Sequence, residues 1–161
     1  MDLPYRLNVG AVLFNRDGLV LLGRRAGVPD DAVAVWQFPQ GGIDAGEDPA
    51  TALMRELAEE IGTANAEILA EHPDWLTYDL PPQFQRSLFG GRFRGQRQRW
   101  FALRFLGSDD EIRLDAHGEP EFSAWRWCPL AETPALAIDF KRPIYEILAQ
   151  AFAPFSVPVR D

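Results

Sequence analysis

A chain of 161 residues with a net charge of −8, 47% hydrophobic and 25% charged, has the composition of one globular domain (1–161) large enough for a core of its own. That composition excludes a disordered polypeptide, and the negative charge argues against a sequence-blind nucleic-acid coat. A nucleotide or an RNA end reached through metal ions stays open. The single cysteine, Cys128, rules out an internal disulfide framework and reads as a buried structural thiol in a reducing compartment. The opening MDLPYRLNVGAVLF has no positively charged lead before its apolar run, so it does not read as a signal peptide. No apolar stretch approaches membrane-spanning length. The expectation is a cytoplasmic protein without membrane association, and no protein partner can be inferred.

In chain order, LNVGAVLF and LVLLGRR are β-rich apolar runs around Asn15-Arg16-Asp17-Gly18, whose Asp-Gly marks a hairpin turn. AVAVWQF reads as a third strand, closed by Pro39 and Gly41-Gly42. Asp48 suits an N-cap and Pro49 the first helical position. Leu53, Leu57 and Ile61 then recur every four residues, widened by Met54 and Ala58, and Gly62 can end the helix. AEILAEHPDWLTYDLP reads as one strand running into Pro81-Pro82. QRQRWFALRFL predicts a long strand with Arg97, Arg99, Phe101, Leu103 and Phe105 on one face and Gln96, Gln98, Trp100, Ala102 and Arg104 on the other. FSAWRWCPL predicts another strand, and PIYEILAQAF a final amphipathic helix opened by Pro143. Strands, helix, strands and a last helix give an α/β (α+β) fold, a sandwich around a mixed sheet.

Charge is unevenly placed. Between Asp79 and Asp109 there is no acid, yet Arg86, Arg92, Arg94, Arg97, Arg99 and Arg104 fall there. Arginine offers a planar fork that suits phosphate oxygens, though any one of these also fits an ordinary solvated face. The predicted helix after the Gly-Gly turn carries the opposite charge. With Leu53, Leu57 and Ile61 facing the core, Glu56, Glu59 and Glu60 point elsewhere, roughly together, and repel one another. A solvated acidic face is the plain reading. Against it, no i+4 lysine relieves the cluster, and the glycine turn lets backbone approach a ligand closely. Hard oxygen ligands at this density suit Mg²⁺ or Mn²⁺. Softer metals do not fit, because His72 and His117 stand alone as ordinary surface or structural residues and Cys128 has no partner.

Gly41, five residues, Glu47, seven residues and RELAEEIGT resemble the box of the Nudix hydrolases. One departure is Thr63 in the final, structural slot, where a bulky aliphatic is usual. The resemblance implies an α/β/α Nudix fold, Mg²⁺ (Mn²⁺ as a substitute) held by Glu56, Glu59 and Glu60 with the Gly41 carbonyl, and a Glu47–Arg55 ion pair bracing loop against helix. It also implies attack of water on a pyrophosphate linkage, with the metal bridging phosphate oxygens. A Nudix-fold sensor without turnover would be expected to lose box carboxylates, and all four glutamates and Arg55 are present.

Further segments, YRLNVGAVLFN, WQFPQGGID, DWLTYDLP, GQRQRWFALRF, EPEFSAWRW and DFKRPIYE, are similar to the RNA 5′-pyrophosphohydrolase and diadenosine polyphosphate hydrolase subgroup over nearly the whole chain. That similarity implies that Glu121 assists the metal or acts as general base beside Glu60 and Glu59, with Glu119 as its rival. Phe140 and Lys141 match an aromatic–basic pair contacting base and phosphates, although Phe140 could instead staple the last helix. Arg6, Tyr78, Gln96 and Arg99 match positions near the phosphate chain. Arg97 and Arg99 share a face with Phe101, so at least one should lay its stem over apolar surface. Two substrates fit: 5′-triphosphorylated RNA losing pyrophosphate, which is favoured, and diadenosine tetraphosphate cut asymmetrically to ATP and AMP.

Overall fold

Two long apolar runs lie side by side at the centre of the protein. In the computed structural model, which describes residues 3–85 and 87–160, β1 (Tyr5–Phe14) and β7 (Gly95–Phe105) pair in parallel from Tyr5↔Gly95 to Phe14↔Arg104. β2 (Val20–Arg25) returns from β1 through the Asn15–Leu19 turn, where Asn15 Oδ1 accepts from the N–H groups of Asp17 and Leu19. Side-chain acceptors of this kind make Asn a turn former. β2 also pairs antiparallel with β3 (Trp36–Gln37) and β8 (Phe122–Cys128), with a register shift at Arg24/Arg25. β4 (Gln40–Gly42) lies along Asn8–Gly10 of β1. β5 (Ala66–Glu71) and β6 (Leu76–Asp79) pair with β7. The result is a mixed sheet with the path β3-β2-β1-β7-β5.

Because side chains alternate along a strand, each face of this sheet carries its own core. Val9, Ala11, Leu13, Leu21, Phe101, Leu103 and Phe105 pack against Leu53, Leu57 and Ile61 of α1 (Pro49–Ile61). On the other face Val12, Phe14, Leu22, Trp100 and Ala102 pack against Ile144, Tyr145 and Leu148 of α4 (Arg142–Ala151). Two short helical turns, α2 (Pro82–Gln85) and α3 (Thr133–Leu136), complete the helices. Helices therefore flank the sheet as an α/β/α sandwich, and the division of β7 into a Phe101 face and a Trp100 face is as the alternation predicts. No helix among the described residues is long and apolar enough to cross a membrane.

Two expected strands differ. Of AVAVWQF only Trp36–Gln37 pairs; Ala34 sits in the left-handed region at φ 57, which breaks an extended run. AEILAEHPDWLTYDLP is two strands. The chain bends between them at His72–Trp75, where His72 Nδ1 accepts from the Asp74 N–H at 3.2 Å, and Pro73 has no N–H for a ladder. His72 is thus a buried structural residue, its ring edge-on to Phe152.

Candidate active site

α1 begins and ends as its sequence dictates. Asp48 Oδ2 accepts from the N–H groups of Ala50 and Thr51, Pro49 follows, and Gly62 closes the helix at φ 77, donating to the Ala58 carbonyl. With the leucine stripe on the sheet, Glu56, Glu59 and Glu60 turn toward β4. Glu60 is only 4% exposed. Its Oε2 accepts from the Gln40 N–H at 3.3 Å, while its buried Oε1 has no hydrogen-bond partner. Burial, then the nearby charges of Glu121 and Glu56, raise its pKa well above the ordinary carboxylate value, and the Gln40 N–H and Lys141 oppose this. Glu56 is raised as well, chiefly by burial, despite Arg55 Nη1 at 2.8 Å. Glu59 is half exposed, with Arg55 at 3.4 Å.

Gly41 and Gly42 admit side chains as much as any ligand. A Cβ at Gly41 would overlap the Glu56 carboxylate, and one at Gly42 would overlap the Arg6 guanidinium. Arg55 braces this loop: Nε and Nη2 each lie 2.8 Å from the two oxygens of Glu47, and Nη2 also reaches the Gly42 carbonyl at 3.0 Å. The two-pronged pair and the Asp44 N–H lower the Glu47 pKa to about 2. Thr63 serves the helix exit, its hydroxyl accepting from the Asn65 N–H.

Beside the box lies a cleft of about 330 Å³ lined by Glu56, Glu59, Glu121, Arg6, Tyr78, Gln96, Phe140 and Lys141, among others. Arg6 Nη1 donates to Gln96 Oε1 at 3.0 Å, and Gln96 Nε2 donates to the Tyr78 hydroxyl. Phe140 stands 5.4 Å from Tyr78 and 5.7 Å from Phe84, so it both lines the cleft and packs. Lys141 Nζ lies 3.3 Å from Gln37 Oε1; burial, then Arg25, lower its pKa to about 8. Glu121 borders the cleft and the adjoining carboxylate cavity, whereas Glu119 borders only the latter and an outer hollow. His117, expected to be an ordinary surface residue, also lines the carboxylate cavity.

Arg99 is not part of this assembly. It projects from the opposite face of β7, bound to the Glu71 carboxylate and the Pro73 carbonyl and lying 5.5 Å over Trp75, as Arg97 does. The reason is the strand's own alternation: Gln96 lines the cleft and Gln98 shares its face, so 97 and 99 point the other way. Arg86 lies outside the described residues. Behind the cleft wall lies a chain of amides not anticipated, which reaches the cleft through Asn8 and Gln40. Gln98 Nε2 donates to Asn8 Oδ1 and Gln40 Oε1, both at 2.9 Å, and receives the Trp100 indole N–H on its Oε1 at 3.1 Å. This buried amide chain fixes Gln40, whose N–H holds Glu60. Asn8 and Gln98 could have been found by pairing the alternation of β1 with that of β7; Arg25 and Phe89, also in the cleft, carry no such signal.

The family model of the NUDIX domain matches residues 4–150. The chain belongs to the Nudix family. Among its relatives are the RNA pyrophosphohydrolases of Acidiphilium cryptum, 63% identical over 96% of this chain and 93% of that one, and of Gluconacetobacter diazotrophicus, 57% identical over 98% and 96%. A C. elegans Ap4A hydrolase in a binary complex shares the fold, with a TM-score of 0.66 and 22% identity over 93% of this chain and 96% of that one.

Nudix proteins take divalent cations, and the donor set suits one. Glu60 offers a buried oxygen with no partner, Glu56 lies against the Gly41 backbone, and Glu121 adds charge to both. Hard carboxylate and carbonyl oxygens are the ligands Mg²⁺ and Mn²⁺ accept. Among the described residues no three such side chains are already drawn to a common ligand distance, and Arg55 engages Glu56 and Glu59.

Proposed function

We propose that this Nudix protein, acting as one domain over residues 1–161, releases pyrophosphate from 5′-triphosphorylated RNA and leaves a 5′-monophosphate end. The observation that carries the reading is the junction of two unlike walls. A carboxylate group, made of the buried Glu60 with its unpartnered oxygen, the partly buried Glu56 and the exposed Glu121, adjoins a cleft whose other wall is Arg6, Lys141, Tyr78 and Phe140. The naming of relatives at 57–63% identity as RNA pyrophosphohydrolases supports this choice of substrate.

In this reading Glu56, Glu59, Glu60 and Glu121, with the Gly41 carbonyl, hold Mg²⁺, for which Mn²⁺ can substitute. The bound cation lowers the pKa of a water and neutralises charge on the phosphates. Arg6 and Lys141 bind phosphate oxygens from the opposite wall, with Gln96 holding the Arg6 guanidinium in place. Tyr78 and Phe140 offer aromatic faces to a base. Glu121 accepts the proton of the attacking water, being placed at both cavities where Glu119 is not. Glu47 and Arg55 keep the loop in position and take no part in proton transfer. Water adds to phosphorus, the bond to the bridging oxygen breaks, and pyrophosphate departs from the 5′-monophosphate.

An aromatic wall stacks a base whichever molecule carries it, so asymmetric hydrolysis of diadenosine tetraphosphate to ATP and AMP is the second reading. Purified protein with Mg²⁺ is given 5′-triphosphate RNA and, separately, diadenosine tetraphosphate, and kcat/KM is compared. RNA is expected to be preferred. Efficient cleavage of the dinucleotide with no pyrophosphate released from RNA would overturn the assignment.

A further inference from the structure

Phe89 is a bulky residue in the left-handed region, at φ 54 and ψ 31, followed by Gly90 and Gly91 at φ 66 and 70. A non-glycine side chain there is strained and persists where surrounding contacts dictate it. The conformation places Phe89 on the cleft wall. The Arg6 guanidinium lies over its ring, 4.9 Å from the centroid, and Phe93 meets that ring edge-on.

Arg6 is held on every described side by uncharged groups. Gln96 Oε1 accepts from Nη1 at 3.0 Å, the Phe89 ring covers the guanidinium plane, and Gly42 is bare where a Cβ would overlap Nη2. Neighbouring arginines spend their charge on acids: Arg55 on Glu47, Arg94 on Asp79 and Arg99 on Glu71. No carboxylate lies within ion-pair distance of Arg6 among the described residues. A guanidinium oriented by an amide, an aromatic face and a bare backbone keeps its charge for an incoming anion, since cation–π contact orients it without neutralising it.

We propose that Phe89 is a positioning residue that holds Arg6 against the substrate's phosphate chain, and that Gly42 is glycine to leave room for the same guanidinium. This rests on the phosphate-binding role given to Arg6 in the proposed function.

The test uses Phe89→Leu, which keeps apolar bulk without a ring face, Phe89→Trp, which restores one, and Gly42→Ala, which crowds the guanidinium tip. KM and kcat are measured on 5′-triphosphate RNA with Mg²⁺, and the affinity for inorganic triphosphate by calorimetry. Phe89→Leu and Gly42→Ala should each raise KM and weaken triphosphate binding about three- to ten-fold, the range of a partly desolvated cation–π contact. kcat should change less than about twofold. Phe89→Trp should stay near wild type, and in an Arg6→Ala background Phe89→Leu should add nothing. Unchanged triphosphate affinity in Phe89→Leu, equal loss in Phe89→Trp, or full additivity with Arg6→Ala would overturn the proposal. A wild type that binds triphosphate but frees no pyrophosphate from RNA fails the functional reading alone, because the calorimetric comparison still decides the role of Phe89.

Discussion

Among the described residues the least comfortable atom is Glu60 Oε1, buried without a partner at the junction of helix and cleft. A raised pKa in an acid means that the folded chain, without a cation, binds a proton more tightly than the unfolded chain does. The stability of the metal-free protein therefore falls as pH rises from the unfolded value, 4.5, through the raised one. Glu60→Gln removes that penalty and with it a ligand of the proposed metal site. The expected outcome is a higher Tm than wild type in chelator at pH 8, no further rise on adding Mg²⁺, and a kcat about three orders of magnitude lower. Thermal unfolding with and without the metal, beside turnover, checks all three. A fall in metal-free Tm would make Glu60 a structural acceptor for Gln40 instead. The glutamates were legible in the sequence because repulsion at helical spacing is visible without coordinates. The amide chain of Gln98, Asn8 and Gln40 becomes legible only once β1 and β7 are known to be neighbours, because neutral amides carry no repulsion to betray them.

At the scale of elements, α1 was readable for physical reasons that act locally: an N-cap, a proline at its start, a leucine stripe and a terminal glycine. Residues 32–38 carry the β-branched and aromatic side chains of a strand, yet Ala34 is left-handed and only Trp36–Gln37 pair, because strand propensity yields to context. Arg99, which the resemblance sets near the phosphate chain, lies with Arg97 on the other face of β7 from Gln96, as the strand's alternation requires. The loop–helix brace makes an electrostatic prediction. The Arg55 guanidinium first, and the Asp44 N–H second, take Glu47 from 4.5 to about 2, so its contribution is complete above about pH 4.5 and is lost as pH falls toward 2. The Tm difference between wild type and Glu47→Gln should thus be constant at neutral pH and shrink steadily below about pH 4.5. Calorimetric scans at pH 7, 4 and 3 measure it. A difference that does not change with pH would mean that Glu47 acts by shape and not by charge.

Taken whole, the protein carries −8 and must bind a polyanion. Its acids gather in the box while its arginines crowd the stretch between Asp79 and Asp109, yet Arg94 and Arg99 are paired with Asp79 and Glu71, and Arg92 and Arg97 lie over aromatic rings outside the cleft. What faces the cleft is Arg6, Arg25 and Lys141, the last still largely protonated at neutral pH with its pKa near 8. Recognition should then be local to the 5′ end. Each phosphate contact on a single strand contributes roughly −0.7 to the slope of log affinity against log salt, so these three cations predict a slope of about −2. At saturating Mg²⁺ and low turnover, KM for triphosphate RNA should follow that slope and should not improve as the RNA is lengthened. A slope of about −4 or steeper, with tighter binding of longer RNA, would show that the exposed Arg92 and Arg97 carry the RNA body. The overall negative charge would then be offset by the outer surface as well as by the cleft.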